Sequence, residues 1–102
     1  MNSQHFIYQL KPVRQDLMEN QTEQEQEVLE SHFFYLQNLK NEKKLLLAGP
    51  CLDAAFGIVI LMGMDEHEAQ SVMKNDPAVK KGVMTADLHP FRVSLLSENV
   101  SV

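Results

Sequence analysis

The sequence is short of several things, and each shortage removes a class of function. It has one cysteine, Cys51, so no intrachain disulfide can form and a reducing compartment is the simpler expectation. Lysine and arginine together number 9 against 14 aspartates and glutamates. The resulting net charge of -5 has the wrong sign for gripping a nucleic-acid backbone. The basic and aromatic pattern by which a sheet reads RNA is also missing. The longest apolar run, around Phe56 to Met62, is far too short to cross a membrane. Met1 to Lys11 lacks the basic start and unbroken apolar stretch of a secretion signal. The expectation is a cytoplasmic protein with no nucleic-acid partner and no membrane partner. There is no glycine-rich phosphate loop. The histidines His5, His32, His67 and His89 are scattered, with no HxH, HxxxH or CxxC spacing, so neither a metal nor a cofactor is expected.

What is there fits one compact domain. The chain has 102 residues, 44% of them hydrophobic and 23% charged, an ordinary balance for a globular fold. No repeat or linker divides residues 1–102; the core is expected over about 5–96, with a frayed tail at 97–102. A domain of this size buries a modest share of its surface, so it gains from association.

The segment Val28 to Pro50 organises the rest. Leu29, His32, Leu36 and Leu39 recur at helical spacing and share one stripe, which sets the His32 imidazole at the boundary of the core. Upstream, Phe6 to Leu10 reads as a first strand ended by Pro12, with Phe6, Tyr8 and Leu10 on one face and Ile7 and Gln9 on the other. In Val13 to Gln21 only Leu17 and Met18 suggest a turn over the core edge. Thr22 and Glu25 have capping-box spacing, and the helix they open is expected to run to about Asn41. Glu23, Glu25 and Glu27 at its start and Lys40, Lys43 and Lys44 at its end suit the helix dipole and read as a solvated face.

Leu45 to Ala48 and Phe56 to Met62 read as the second and third strands. The short Gly49–Asp53 link between them favours an antiparallel pair. Asp65 and Glu68 open a second helix with Ala69, Val72 and Met73 inward. Asp76-Pro77 ends it and can start a further short helical turn, which Gly82 closes. Val83 to Leu88 and Phe91 to Leu96 suggest a final strand, continuous or broken by a bulge at His89-Pro90.

The order β-α-β-β-α-β is that of the ferredoxin-like α+β fold. Two helices cover only one sheet face, yet Leu45–Leu47 and Ile58–Met62 are apolar towards both. A homodimer packed through the sheet faces is therefore expected.

With these motifs in place, the chain resembles the YCII-related family of dimeric α+β-barrel proteins. The matching residues are Ser31-His32-Phe33-Phe34-Tyr35-Leu36, Leu46-Leu47-Ala48-Gly49-Pro50, Asp76-Pro77 with Val79 and Gly82, and His89-Pro90-Phe91, over about residues 5 to 95. The resemblance implies a ferredoxin-like subunit, a dimer and a pocket between sheet and helices. It also implies likeness to muconolactone isomerases, with a dehydrochlorinating member in the family. It carries a histidine–aspartate active site onto His32 and Asp76. Lys44 stands where a glycine is common, and Ala78 where a large aromatic often follows Asp-Pro; the second departure alters pocket shape.

A histidine near neutral pH can take and return a proton, and a carboxylate on its other nitrogen fixes the tautomer. Without a nucleophile beside it, such a pair suits proton abstraction from carbon, as in lactone isomerisation or dehydrohalogenation. The sequence supports a cofactor-free lyase or isomerase with catalytic His32 and Asp76. It equally admits a non-catalytic dimer that binds a small apolar or carboxylate-bearing ligand or regulates a partner, with His32 structural and Asp76 a helix cap. Cys51 reads as a small buried or half-buried thiol, Tyr8 and Tyr35 as packing groups with hydroxyls at water, and Met62, Met64, Met73 and Met84 as core filler.

Overall fold

A computed structural model describes residues 4–97. Its elements run β1 (His5–Pro12), α1 (Glu23–Asn41), β2 (Leu45–Pro50), β3 (Gly57–Leu61), α2 (Glu66–Asn75), α3 (Pro77–Lys80) and β4 (Met84–Phe91). The four strands form one antiparallel sheet in the order β2-β3-β1-β4. Since β3 pairs antiparallel with both neighbours, β1 and β2 run parallel on either side of it, with α1 as their crossover.

The alternation of β1 divides the sheet into two faces. Phe6, Tyr8 and Leu10 are buried while Ile7 and Gln9 are only half covered. Register extends the buried row across the sheet: Tyr8 opposes Val59 on one side and Leu88 on the other, and Phe6 opposes Leu61. Leu39 of α1 and Ala69 and Met73 of α2 close over this face and complete the core. The stripe on α1 lies as its spacing predicts, with Leu39 buried and Leu29, His32 and Leu36 half-buried.

The cap chemistry places the helices. The Glu25 amide donates to Thr22 Oγ1 at 3.1 Å and the Thr22 amide donates to Glu25 Oε1 at 2.8 Å, the reciprocal pair that opens α1. Arg14 adds to it by donating to the same Glu25 oxygen and to Asp16 Oδ1, which pins the 13–21 segment to the helix start and buries Leu17. Asp65 caps α2 by accepting from the Glu68 amide at 2.8 Å. Asp76 caps α3 with Pro77 in the first turn. Gly82 then takes a φ of +74°, the left-handed turn at which a glycine costs least.

All four strands differ somewhat from the sequence reading: β1 is longer than Phe6–Leu10 and β3 is shorter than Phe56–Met62. β2 continues past Ala48 to Pro50, and β4 passes through Pro90 to Phe91 while residues 92–97 join no strand. Both prolines are tolerated because β2 and β4 are the sheet edges, where a missing N–H breaks no ladder. The bulge falls not at His89-Pro90 but between Leu45 and Leu47. Leu46 is the extra residue, so Leu45 opposes Leu61 beneath the helices whereas Leu47 opposes Ile60 on the other face. The expected tail lies outside the described residues beyond 97. Among the described residues no helix is long and apolar enough to cross a membrane.

Candidate active site

His32 projects from the middle of α1, and Asp76 sits at the α2–α3 junction. His32 Nδ1 lies 2.7 Å from Asp76 Oδ1. The fold brings together two residues 44 positions apart because α1 and α3 pack side by side on the same sheet face. The same oxygen accepts the Ala78 amide at 3.0 Å, the cap bond of α3. Asp76 is therefore helix cap and histidine partner at once; the two roles proposed for it from sequence share one atom.

The other carboxylate oxygen is held by a residue whose hydroxyl was expected at water. Tyr8 donates its hydroxyl to Asp76 Oδ2 at 2.8 Å, and both residues are 0% exposed. The expectation that Tyr8 and Tyr35 turn their hydroxyls to water is thus corrected for both: Tyr35 donates to the Val72 carbonyl at 2.7 Å. A signal was present. The alternation of β1 already put Tyr8 inside, and a buried phenol requires an acceptor.

The electrostatics follow from this burial. Asp76 is sealed from solvent and accepts three hydrogen bonds, from Tyr8, Ala78 and His32. Where the carboxylate is ionised it only accepts, and His32 Nδ1 is then the donor in this contact. Nε2 makes no hydrogen bond among the described residues. No buried polar side-chain atom there lacks a partner, so Nε2 reaches solvent, in keeping with the 16% exposure of the side chain. His5 and His89 lie on the opposite side of the sheet, in the strand positions that alternate with Phe6, Tyr8 and Leu88. Cys51 is half-buried and free. Among the described residues no three His, Cys, Asp or Glu side chains are placed to hold a metal ion.

Burial, then the Asp76 charge and hydrogen bond, push the Tyr8 phenol far above its ordinary value. Burial, with smaller contributions from Asp76 and Glu42, pushes Tyr35 up to about 12. Both groups keep their protons in the fold after the unfolded chain has lost them. Stability is therefore fully present below the ordinary phenol pKa of about 10 and falls as pH rises above it. Tyr8 alone contributes a decline of about 1.4 kcal/mol per pH unit, and the more exposed Tyr35 a smaller one that ends near its own titration. Urea midpoints at pH 9, 10 and 11 check this; a flat profile across that window contradicts it.

The antiparallel sheet in the order β2-β3-β1-β4, with its helices on one face, is the ferredoxin-like α+β architecture. Within that class the chain belongs to the YCII-related family, whose domain matches residues 9–91. Among solved structures it is similar to 5-chloro-2-hydroxyhydroquinone dehydrochlorinase from Burkholderia phenoliruptrix AC1100, in complex with 2,5-dihydroxybenzoquinone. The two share 21% identity over 86% of this chain and 93% of that one, with a TM-score of 0.68, a likeness of fold. No curated protein sequence matches the chain significantly.

Proposed function

We propose that the protein is a cofactor-free lyase or isomerase in which His32 removes a proton from carbon and Asp76 orients the ring. The observation that carries the reading is the 2.7 Å contact between His32 Nδ1 and a fully buried carboxylate, which leaves Nε2 as the lone-pair nitrogen facing solvent. A carbon acid next to a carbonyl loses its proton to Nε2, and its electron pair moves into the carbonyl as an enolate. The imidazolium so formed keeps its Nδ1–H on Asp76, which stabilises the new charge. The enolate then takes the proton back at another carbon, an isomerisation, or expels a β-halide as the proton leaves to solvent, an elimination. The structural neighbour is a dehydrochlorinase whose complex holds a small quinone, and this supports a lyase of small cyclic substrates.

The test is a panel of halogenated hydroxyhydroquinones and unsaturated lactones, with chloride release and ultraviolet absorbance as readouts. His32→Gln is expected to lower turnover of any active member by a factor of about 100 or more, the usual share of a general base. Turnover undiminished in His32→Gln removes the reading.

We also propose that a second copy of the chain covers the outward sheet face. Leu47, Ile60 and Ile7 form one crosswise row there, ending at His89, and Ile58 lies in the next row beside Gln9. Polar Lys11, Thr85 and Asp87 border the apolar patch, the arrangement of an interface core with a wet rim.

A further inference from the structure

The hydrogen bond from Tyr8 to Asp76 has no role in the reaction scheme above, and the sheet does not need it. Tyr8 lies in register between Val59 and Leu88, and its hydroxyl bonds to Asp76 rather than to either neighbouring strand. We propose that Tyr8 is a positioning residue that sets which nitrogen of His32 bears the proton, by keeping Asp76 an acceptor on both of its oxygens. This deepens the proton-abstraction reading and rests on it for its purpose, although the tautomer itself is open to measurement without any substrate.

Asp76 Oδ1 faces two donors, His32 and Ala78, and Oδ2 faces one, the Tyr8 hydroxyl. All of this happens at a residue with 0% exposure, where water cannot replace a missing donor. No lysine or arginine pairs with Asp76; its one ion-pair partner among the described residues is His32. The buried charge is thus held by hydrogen bonds alone, and Tyr8 is the sole donor to one oxygen. Tyr8 is also a dependable donor, since burial and the neighbouring carboxylate hold its proton on.

Without the hydroxyl, Oδ2 is left in dry surroundings with no donor. The arrangement that relieves it is a neutral carboxyl. Nε2 takes a proton from solvent, the Nδ1 proton passes to the carboxyl, and the carboxyl then donates to a bare Nδ1. One proton is gained, and the ring is left as the Nε2–H tautomer, whose solvent-facing nitrogen can no longer accept a proton. In this way a hydroxyl on the far side of Asp76 from the ring decides whether His32 can act as a base.

The experiment is nitrogen-15 NMR of histidine-labelled protein at pH 8, comparing wild type with Tyr8→Phe. In the wild type, His32 Nδ1 is expected at a protonated, pyrrole-like shift and Nε2 at a pyridine-like shift. In Tyr8→Phe the ratio of the two tautomers is expected to move towards Nε2–H by roughly tenfold, the scale of one lost hydrogen bond to a charged group. An unchanged ratio in a folded Tyr8→Phe protein overturns the proposal. If the variant does not fold, exchange of the Tyr8 hydroxyl proton in the wild type decides: slow exchange, with the Asp76 side-chain carbon at a carboxylate shift, supports it, and free exchange or a protonated carboxyl overturns it. The two ideas fail separately. A tautomer that moves in Tyr8→Phe while His32→Gln leaves turnover intact keeps the tautomer control and removes the catalytic reading; a tautomer that stays put while His32→Gln abolishes turnover does the reverse.

Discussion

Asp76→Ala is expected to destabilise the protein by about 3 kcal/mol, a large part of the 5–15 kcal/mol that holds a domain of this size together. The substitution strands three donors at once: the Tyr8 hydroxyl, the Ala78 amide and His32 Nδ1. A buried donor left without an acceptor costs about 1–3 kcal/mol, and loss of an N-cap costs about 1 kcal/mol. Two terms pull the other way. Alanine ends the cost of holding a charge in a sealed site, and the space it leaves can admit water to the half-buried side of His32. Asp76→Asn keeps an acceptor for the amide of Ala78 but offers one carbonyl oxygen where the aspartate offers two. Its expected cost is smaller, about 1–2 kcal/mol. Urea unfolding of wild type, Asp76→Asn and Asp76→Ala reads the series directly. A loss below about 1 kcal/mol in Asp76→Ala contradicts the view that these three bonds are anchored in a dry core.

The order of stabilities also separates the two roles of Asp76. A residue that only capped α3, a helix of four residues, would lose little, since such a short element is held by its packing. Here the cap bond and the histidine bond share Oδ1, so one side chain ties the α2–α3 corner, the middle of α1 and the central strand to one point. The cap was legible in the sequence, because Asp-Pro marks a helix start whatever else the aspartate does, and the pairing with His32 was an expectation drawn from the family resemblance. Their coincidence on one atom was not legible, since the distance from His32 to Asp76 depends on how α1 and α3 cross. Tyr8 shows a different limit. Its inward direction followed from the period of two along Phe6–Leu10, but a strand pattern says nothing of what a helix corner will present above it. The Leu46 bulge was hidden for a related reason. Three consecutive leucines satisfy either face, so the pattern there could not disclose that one residue is extra, and register against β3 had to decide it. Pro50 reads in the sequence as part of the link after β2, and the final strand reads as continuous or bulged at His89-Pro90; the strand order makes both proline positions edges, where neither interrupts a ladder.

The outward face gives the second large effect. Light scattering of the wild type at micromolar concentration is expected to return the mass of two chains of 11.6 kDa, and Leu47→Lys the mass of one. Leu47 is the informative position because it is 42% exposed in the single subunit, so a lysine there has a solvent route and spares the fold. Ile60, directly opposite, is already 6% exposed within one subunit, so its replacement would damage the core of the sheet as well as any interface. A self-complementary contact around a two-fold axis brings each substitution in twice, so one lysine per chain places two unpaired charges in a patch built from Leu47, Ile7 and Ile58. Retention of the urea midpoint extrapolated to low protein concentration, together with the halved mass, separates loss of association from loss of folding. A monomeric wild type refutes the dimer outright. A Leu47→Lys protein that stays dimeric moves the interface off this face, and the exposed Phe33 and Phe34 of α1, edge to face with ring centroids 6.2 Å apart, become the next surface to substitute.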